Sequence, residues 1–184
     1  MFNRDTFVAD CRTALEEDGS HLAVKEIVER AISAPVEILK ELGDPEEAGF
    51  LKVYHSEELT ILNVVWAPLM TLMPHNHNMW AVIGVYTGRE DNIFWRREGN
   101  LIEAAGANAL TVKDVQPLGK DIIHSVTNPI EKLTGAIHIY GGDFFNEPRS
   151  EWDPEVLTER PYDVQKNMRL FKEANERFST YSAT

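Results

Sequence analysis

Between Phe50 and Tyr140 the sequence breaks into nine short β-rich segments separated by Gly, Pro, Asn and Asp, and this rhythm restricts the fold more than any other feature. The segments are Leu51–His55, Leu59–Trp66, Leu69–Met73, Trp80–Tyr86, Asn92–Arg97, Leu101–Ala105, Ala109–Val112, Ile122–Thr127 and Leu133–Tyr140. Many short strands at such spacing argue for a sandwich or a barrel.

The flanks read differently. Before Leu42 the apolar residues recur at helical spacing. Phe7, Val8, Cys11, Ala14 and Leu15 form one stripe, with Asn3 or Asp5 as the cap and Gly19 as the stop. Ser20 caps a second run carrying Leu22, Ala23, Ile27, Val28 and Ala31, and Ser33-Ala-Pro35 breaks it. Val36, Ile38, Leu39 and Leu42 make a third, short helix that ends at Gly43-Asp-Pro45. After Phe144 the stretch from Asn146 to Pro154 reads as an irregular tether. A final helix starts near Asp163, with Val164, Met168, Phe171, Ala174 and Phe178 on one face.

At 184 residues the expectation is a single domain over 1–184, with a helical cap at 1–49, a β-barrel at 50–145 and a tether and helix at 146–184. The formal net charge of -12 disfavours nucleic acid and anionic membrane as partners, because both demand clustered Lys and Arg. Residues 1–50 carry much of that charge, which reads as a solvated helical face. Cys11 is the only cysteine, so no internal disulfide can form. The polar N-terminus has no leader pattern, and the expected compartment is a reducing cytoplasm. The oligomeric state stays open, with a homodimer among the compatible arrangements.

Chemistry concentrates in two segments. Met73-Pro-His75-Asn-His77 places two imidazoles two residues apart in an extended, apolar context, so both rings are expected on one strand face. Pro74 suits a strand start or a bulge. In the second segment, Pro117-Leu-Gly119 leads into a short β-branched strand carrying His124, and Asn128-Pro closes it. Together they offer three neutral nitrogen donors, a set that leaves open positions on a divalent ion, as a catalytic rather than a structural metal requires.

This pair of segments resembles the two motifs of the cupin superfamily, although four residues rather than two separate Gly119 from His124. Where many cupins carry a ligating glutamate after the first histidine pair, this chain has Ala81 and Val82. Three histidines without the glutamate resemble the thiol dioxygenase branch, which includes cysteine dioxygenase and bacterial 3-mercaptopropionate dioxygenase. Gly135-Ala136-Ile137-His138-Ile139-Tyr140 is similar to that branch's Ser-x-His-x-Tyr strand, with Ala136 in place of the serine. No cysteine follows His77, so the thioether cross-link of animal-type relatives cannot form.

The resemblance implies a mainly β cupin jelly-roll barrel (double-stranded β-helix) with an N-terminal helical cap and a C-terminal helix. It implies Fe(II) held by His75, His77 and His124, with Ni, Zn or Mn as alternatives, and a small thiol and O2 as reactants that end as a sulfinate. Tyr140 would act on the bound oxygen species, with His138 orienting it. A carboxylic acid substrate also needs a guanidinium. Arg89, Arg96, Arg97 and Arg149 are the candidates. The cysteine dioxygenase position near the first strands holds Tyr54-His55, whereas Arg149 occupies a place similar to that used by the 3-mercaptopropionate enzymes. Against this stand a cupin of another reaction type, such as an isomerase or a carbon-carbon cleaving dioxygenase, and a non-catalytic small-molecule-binding cupin. On an exposed loop Arg149 would merely pair with Glu147 or Glu151.

Overall fold

A computed structural model of the protein describes residues 1–182. Three helices come first: α1 (Arg4–Asp18), α2 (His21–Ile32) and α3 (Pro35–Leu42). The Asn3 side chain caps α1 by accepting from the Thr6 amide, Gly19 ends it in the left-handed conformation, and Ser20 caps α2. These are the punctuation marks read from the sequence, and each satisfies backbone groups that a helix end leaves unpaired.

The strands are β1 (Gly49–His55), β2 (Thr60–Trp66), β3 (Thr71–Asn76), β4 (Ala81–Thr87), β5 (Arg89–Glu98), β6 (Leu101–Thr111), β7 (Val115–Leu118), β8 (Ile123–Thr127), β9 (Thr134–Tyr140), β10 (Ser150–Trp152) and β11 (Glu159–Pro161), followed by α4 (Val164–Ser182). They form a five-stranded sheet, β1-β2-β9-β4-β7, and a six-stranded sheet, β11-β10-β3-β8-β5-β6. Pairing is nested: β2 with β9, β3 with β8, β4 with β7 and β5 with β6, all antiparallel. A long hairpin rolled up in this way is a jelly roll, the double-stranded β-helix.

Several elements differ from the sequence reading. The two segments expected at 101–105 and 109–112 are one strand, β6, and Ala105 bulges where the register with β5 shifts between Phe94 and Trp95. The stretch around Pro117 is strand β7, at the edge of its sheet, where the missing proline N–H costs no ladder bond. The expected tether contains β10, and β11 lies between it and the last helix; the two strands extend the six-stranded sheet beside β3.

The central strands of the five-stranded sheet, β2, β9 and β4, are covered on both faces. Leu62, Val64, Trp66, Ile83 and Ala136 point into the barrel, while Ile61, Val82, Ile137 and Ile139 pack outward against Val24, Val28 and Ile32 of α2. Gly84 permits that contact, since a Cβ there would collide with Val28. Inside, α4 closes one end of the barrel with Phe171 and Ala174. No helix among the described residues is long and apolar enough to cross a membrane.

Candidate metal centre

The site lies between the sheets, and strand alternation decides what reaches it. Leu62, Val64 and Trp66 from β2, His138 and Tyr140 from β9, and His124 and Val126 from β8 line one cavity of about 110 Å³. Each set is spaced by two residues, the period that sends side chains to one face. On β3 the spacing breaks: Leu72 and His75 are three apart, yet both face the cavity. The register shift between them, at Met73-Pro74, supplies the extra residue and sets His75 opposite His124.

His77 does not sit on the strand as expected. It is the first residue past β3, and its placement comes from a clamp rather than from the ladder. Asn76 accepts from the Ser150 amide at 2.8 Å, and Asn78, at a φ of 56°, donates to the Pro148 carbonyl at 2.7 Å. In His75-Asn76-His77-Asn78 the histidines turn to the cavity while the asparagines fasten the loop to the segment that carries Arg149.

The three rings converge. His75 Nε2 and His77 Nε2 are 3.2 Å apart, and His77 Nε2 and His124 Nε2 are 3.3 Å apart. All three residues are buried, and they form the one group among the described residues with metal-ligand geometry. His75 Nδ1 donates to the Met73 carbonyl at 3.0 Å, and His124 Nδ1 donates to the Asn92 Oδ1 at 2.7 Å. Both rings therefore carry their hydrogen on Nδ1 and turn a bare Nε2 lone pair to the common point. His77 Nε2 lies against both and can donate to only one of them.

A proton does not resolve that crowding. Burial lowers the His75 pKa to about 4, against the pull of the Met73 carbonyl. Burial also holds His77 and His124 well below the usual imidazole range, and neighbouring histidines push in the same direction. Clustered, unprotonated lone pairs in a dry site fit a divalent cation. His75, His77 and His124 would hold it, and among the described residues no carboxylate joins them.

Tyr140 and His138 lie on the opposite sheet. The Tyr140 ring is 4.9 Å from that of His77, and its hydroxyl is 3.1 Å from His138 Nδ1. Burial pushes its pKa well up, so it stands as a neutral phenol.

Arg149 is the candidate guanidinium that reaches the cavity. Its Cζ is 3.8 Å from the Phe144 ring centre and 4.2 Å from that of Tyr162. Nη1 is enclosed and has no hydrogen-bond partner, and burial draws the pKa down. Neither Glu147 nor Glu151 pairs with it among the described residues; Glu151 is taken by Arg160 and Lys166. Arg89, Arg96 and Arg97 are held elsewhere, by Asp91, Glu103 and Glu159. His55 bonds Asp143 at 2.8 Å outside the cavity.

Sequence reasoning missed Glu90, Asn92 and Tyr162. The strand expected from Asn92 to Arg97 begins three residues earlier, so Arg89-Glu-Asp opens β5, and Glu90 and Asn92 are buried at alternate positions. The signal that could have found them was their period-two spacing with Phe94.

No family model and no curated protein matches the chain. Among solved structures it is similar to an RmlC-like cupin family protein with a double-stranded β-helix fold from Methanocaldococcus jannaschii, at 10% identity over 55% of this chain and 86% of that one, with a TM-score of 0.47. A protein with a double-stranded β-helix domain from Klebsiella pneumoniae matches at 10% identity over 59% of this chain and 83% of that one, with a TM-score of 0.46. A cupin superfamily protein from Desulfitobacterium hafniense matches at 14% identity over 54% and 84%, with a TM-score of 0.44. At this distance the fold assignment rests on the chain's own strand order. Fold and site together define a jelly-roll protein with a candidate three-histidine metal centre.

Proposed function

We propose that the protein is a non-haem Fe(II) thiol dioxygenase that converts a small thiol carboxylic acid to its sulfinate. The observation that carries this reading is the unpaired, enclosed Arg149 Nη1 lining the same cavity as a three-imidazole cluster that has no carboxylate. Three neutral ligands leave the ion's charge uncompensated, which favours an anionic co-ligand such as a thiolate. Iron would supply open positions where thiolate and dioxygen meet. The balance is thiol plus O2 to sulfinic acid, with both oxygen atoms on sulfur and no outside reductant.

The chain's own residues supply orientation and dryness. Arg149 presents a fork for a carboxylate, fixed between two aromatic rings. Tyr140, held by His138, offers a neutral hydroxyl beside His77. Phe50, Trp66, Phe144 and Phe171 wall the cavity, and among the described residues no Asp or Glu lines it. That lining suits one anionic end on an apolar body and gives a substrate ammonium no carboxylate partner.

Oxygen uptake by Fe(II)-loaded protein with a panel of thiols tests the reading. A mercapto acid should be consumed, with its sulfinate as product, while its uncharged analogue and an amino thiol should react poorly. Uptake with none of the panel would return the protein to another reaction type or to plain ligand binding.

A further inference from the structure

Glu90 lies apart from the metal ligands and from the cavity lining, yet it is wholly buried on β5 beside both arms of the site. Its Oε2 accepts from Trp66 Nε1 at 2.7 Å and faces His138 Nε2 at 3.3 Å. Its Oε1 accepts from Asn92 Nδ2 at 3.1 Å. Burial alone would raise its pKa, but attraction to His138 and the hydrogen bonds from His138, Asn92 and Trp66 outweigh it, and the group is held ionised.

A carboxylate can only accept, and this decides the next bond. Asn92 must turn its amide hydrogens to Glu90, which leaves its Oδ1 facing His124 Nδ1 at 2.7 Å. His124 must then donate from Nδ1, and its Nε2 lone pair is left bare toward His75 and His77. We infer that Glu90 is a positioning residue: acting through Asn92, it sets which nitrogen of His124 carries the hydrogen, and so keeps that imidazole ready for a metal. The same carboxylate anchors His138, which holds the Tyr140 hydroxyl. Ala136 occupies the position where the resembling family has a serine, and Glu90 is the partner that His138 finds instead.

Glu90→Gln makes the inference specific. An indole N–H never accepts, so Trp66 requires the glutamine carbonyl at the Oε2 position. The new NH2 then faces Asn92, whose amide must turn over and present its own NH2 to His124. His124 Nδ1 becomes an acceptor, and its hydrogen moves to Nε2, where it blocks the lone pair. The double variant Glu90→Gln/Asn92→Asp restores the pattern. Its new carboxylate at position 92 accepts from the new amide at position 90 with one oxygen and from His124 Nδ1 with the other.

The inference rests on the three-histidine metal reading but not on the reaction. Its test reads the hydrogen position directly, by nitrogen NMR of isotope-labelled histidine in metal-free protein, alongside titration with Fe(II) and Zn(II). Wild type should show His124 protonated on Nδ1. Glu90→Gln should move the hydrogen to Nε2 and weaken metal binding roughly 10- to 100-fold, the range for losing an outer hydrogen-bond partner. The double variant should recover both. An unchanged His124 pattern in Glu90→Gln, or a double variant with no recovery, overturns the inference. If Glu90→Gln alone fails to fold, the double variant decides: a folded protein with His124 protonated on Nδ1 supports the assignment, and any other pattern ends it. Wild-type protein that takes up neither ion would instead refute the metal reading, while the NMR comparison still judges Glu90.

Discussion

Every residue of β2 and β9 in the five-stranded sheet is buried, whereas β6 of the six-stranded sheet is exposed along most of its length. One sheet is sandwiched between the barrel interior and α2. The other buries its inner face and leaves much of its outer face to solvent. Their sequences differ as this requires: Thr60-Ile-Leu-Asn-Val-Val-Trp66 and Thr134-Gly-Ala-Ile-His-Ile-Tyr140 are nearly continuous apolar runs, while Arg89–Glu98 is mostly polar and charged, and only alternate residues of its first part, Glu90 and Asn92, are buried. Chemistry follows the second sheet. It carries His75, His124, Glu90 and Asn92, with His77 just past its β3, while the first contributes Trp66, His138 and Tyr140. Stability and metal chemistry are thus largely assigned to different sheets.

The largest expected effect breaks the site without breaking the fold. His77 abuts the existing cavity, so His77→Ala widens that space, removes one of three ligands and relieves the lone-pair crowding. Metal affinity should fall by more than the roughly 100-fold that an outer partner costs, with a small change in the melting temperature of the metal-free form. A collapse of the metal-free fold in this variant would show that the two roles are not separable.

The reverse cut comes next. Ile32 of α2 is fully buried against the outer face of the five-stranded sheet. Ile32→Ala should cost about 2–5 kcal/mol in chemical denaturation and leave the metal affinity of the folded protein intact. Arg149→Ala should cost about 2 kcal/mol in the binding of a thiol acid, roughly thirtyfold, and leave its uncharged analogue unaffected. Arg149→Lys, which lacks the fork, should rescue only part of that loss. Equal effects on acid and analogue would place carboxylate recognition elsewhere.

Acid should act on the site before it acts on the rest. The folded-state pKa of His75 is lowered to about 4, and His77 and His124 are also lowered. The unfolded chain, with imidazoles near roughly 6.5, therefore binds more protons in this window. Stability is fully present above that value and is lost as pH falls toward 4. Urea titrations of metal-free protein at several pH values check the sign, and a flat profile down to pH ~5 would contradict the buried neutral cluster. Smallest of all, Ile93→Ala on the open face of β5, where Ile93 is 41% exposed, should shift stability by no more than about 0.5 kcal/mol.

Much of this was legible because alternation and punctuation are local. The helix caps, most strands and the three histidines could be read from residue type and spacing, while Tyr140 was singled out by the resemblance of its strand to a known motif. β7 and β11 were hidden by Pro117 and Pro161, which argue against a strand unless it lies at an edge, and the short β10 was hidden between Pro148 and Pro154. Glu90 was hidden by its own charge, which a sequence assigns to solvent. Only the fold reveals that Trp66, Asn92 and His138 surround it with hydrogen-bonding groups. Arg149 was legible as a candidate, but its lack of a carboxylate partner among the described residues depends on Glu151 being claimed by Arg160 and Lys166.

X-ray absorption at the metal edge, on protein purified without added metal and then loaded with Fe(II), tests the central claim most directly. The account predicts one ion per chain, scattering from imidazole nitrogens whose number drops by one in His77→Ala. An ion surrounded by oxygen alone, or a spectrum indifferent to that substitution, would contradict it.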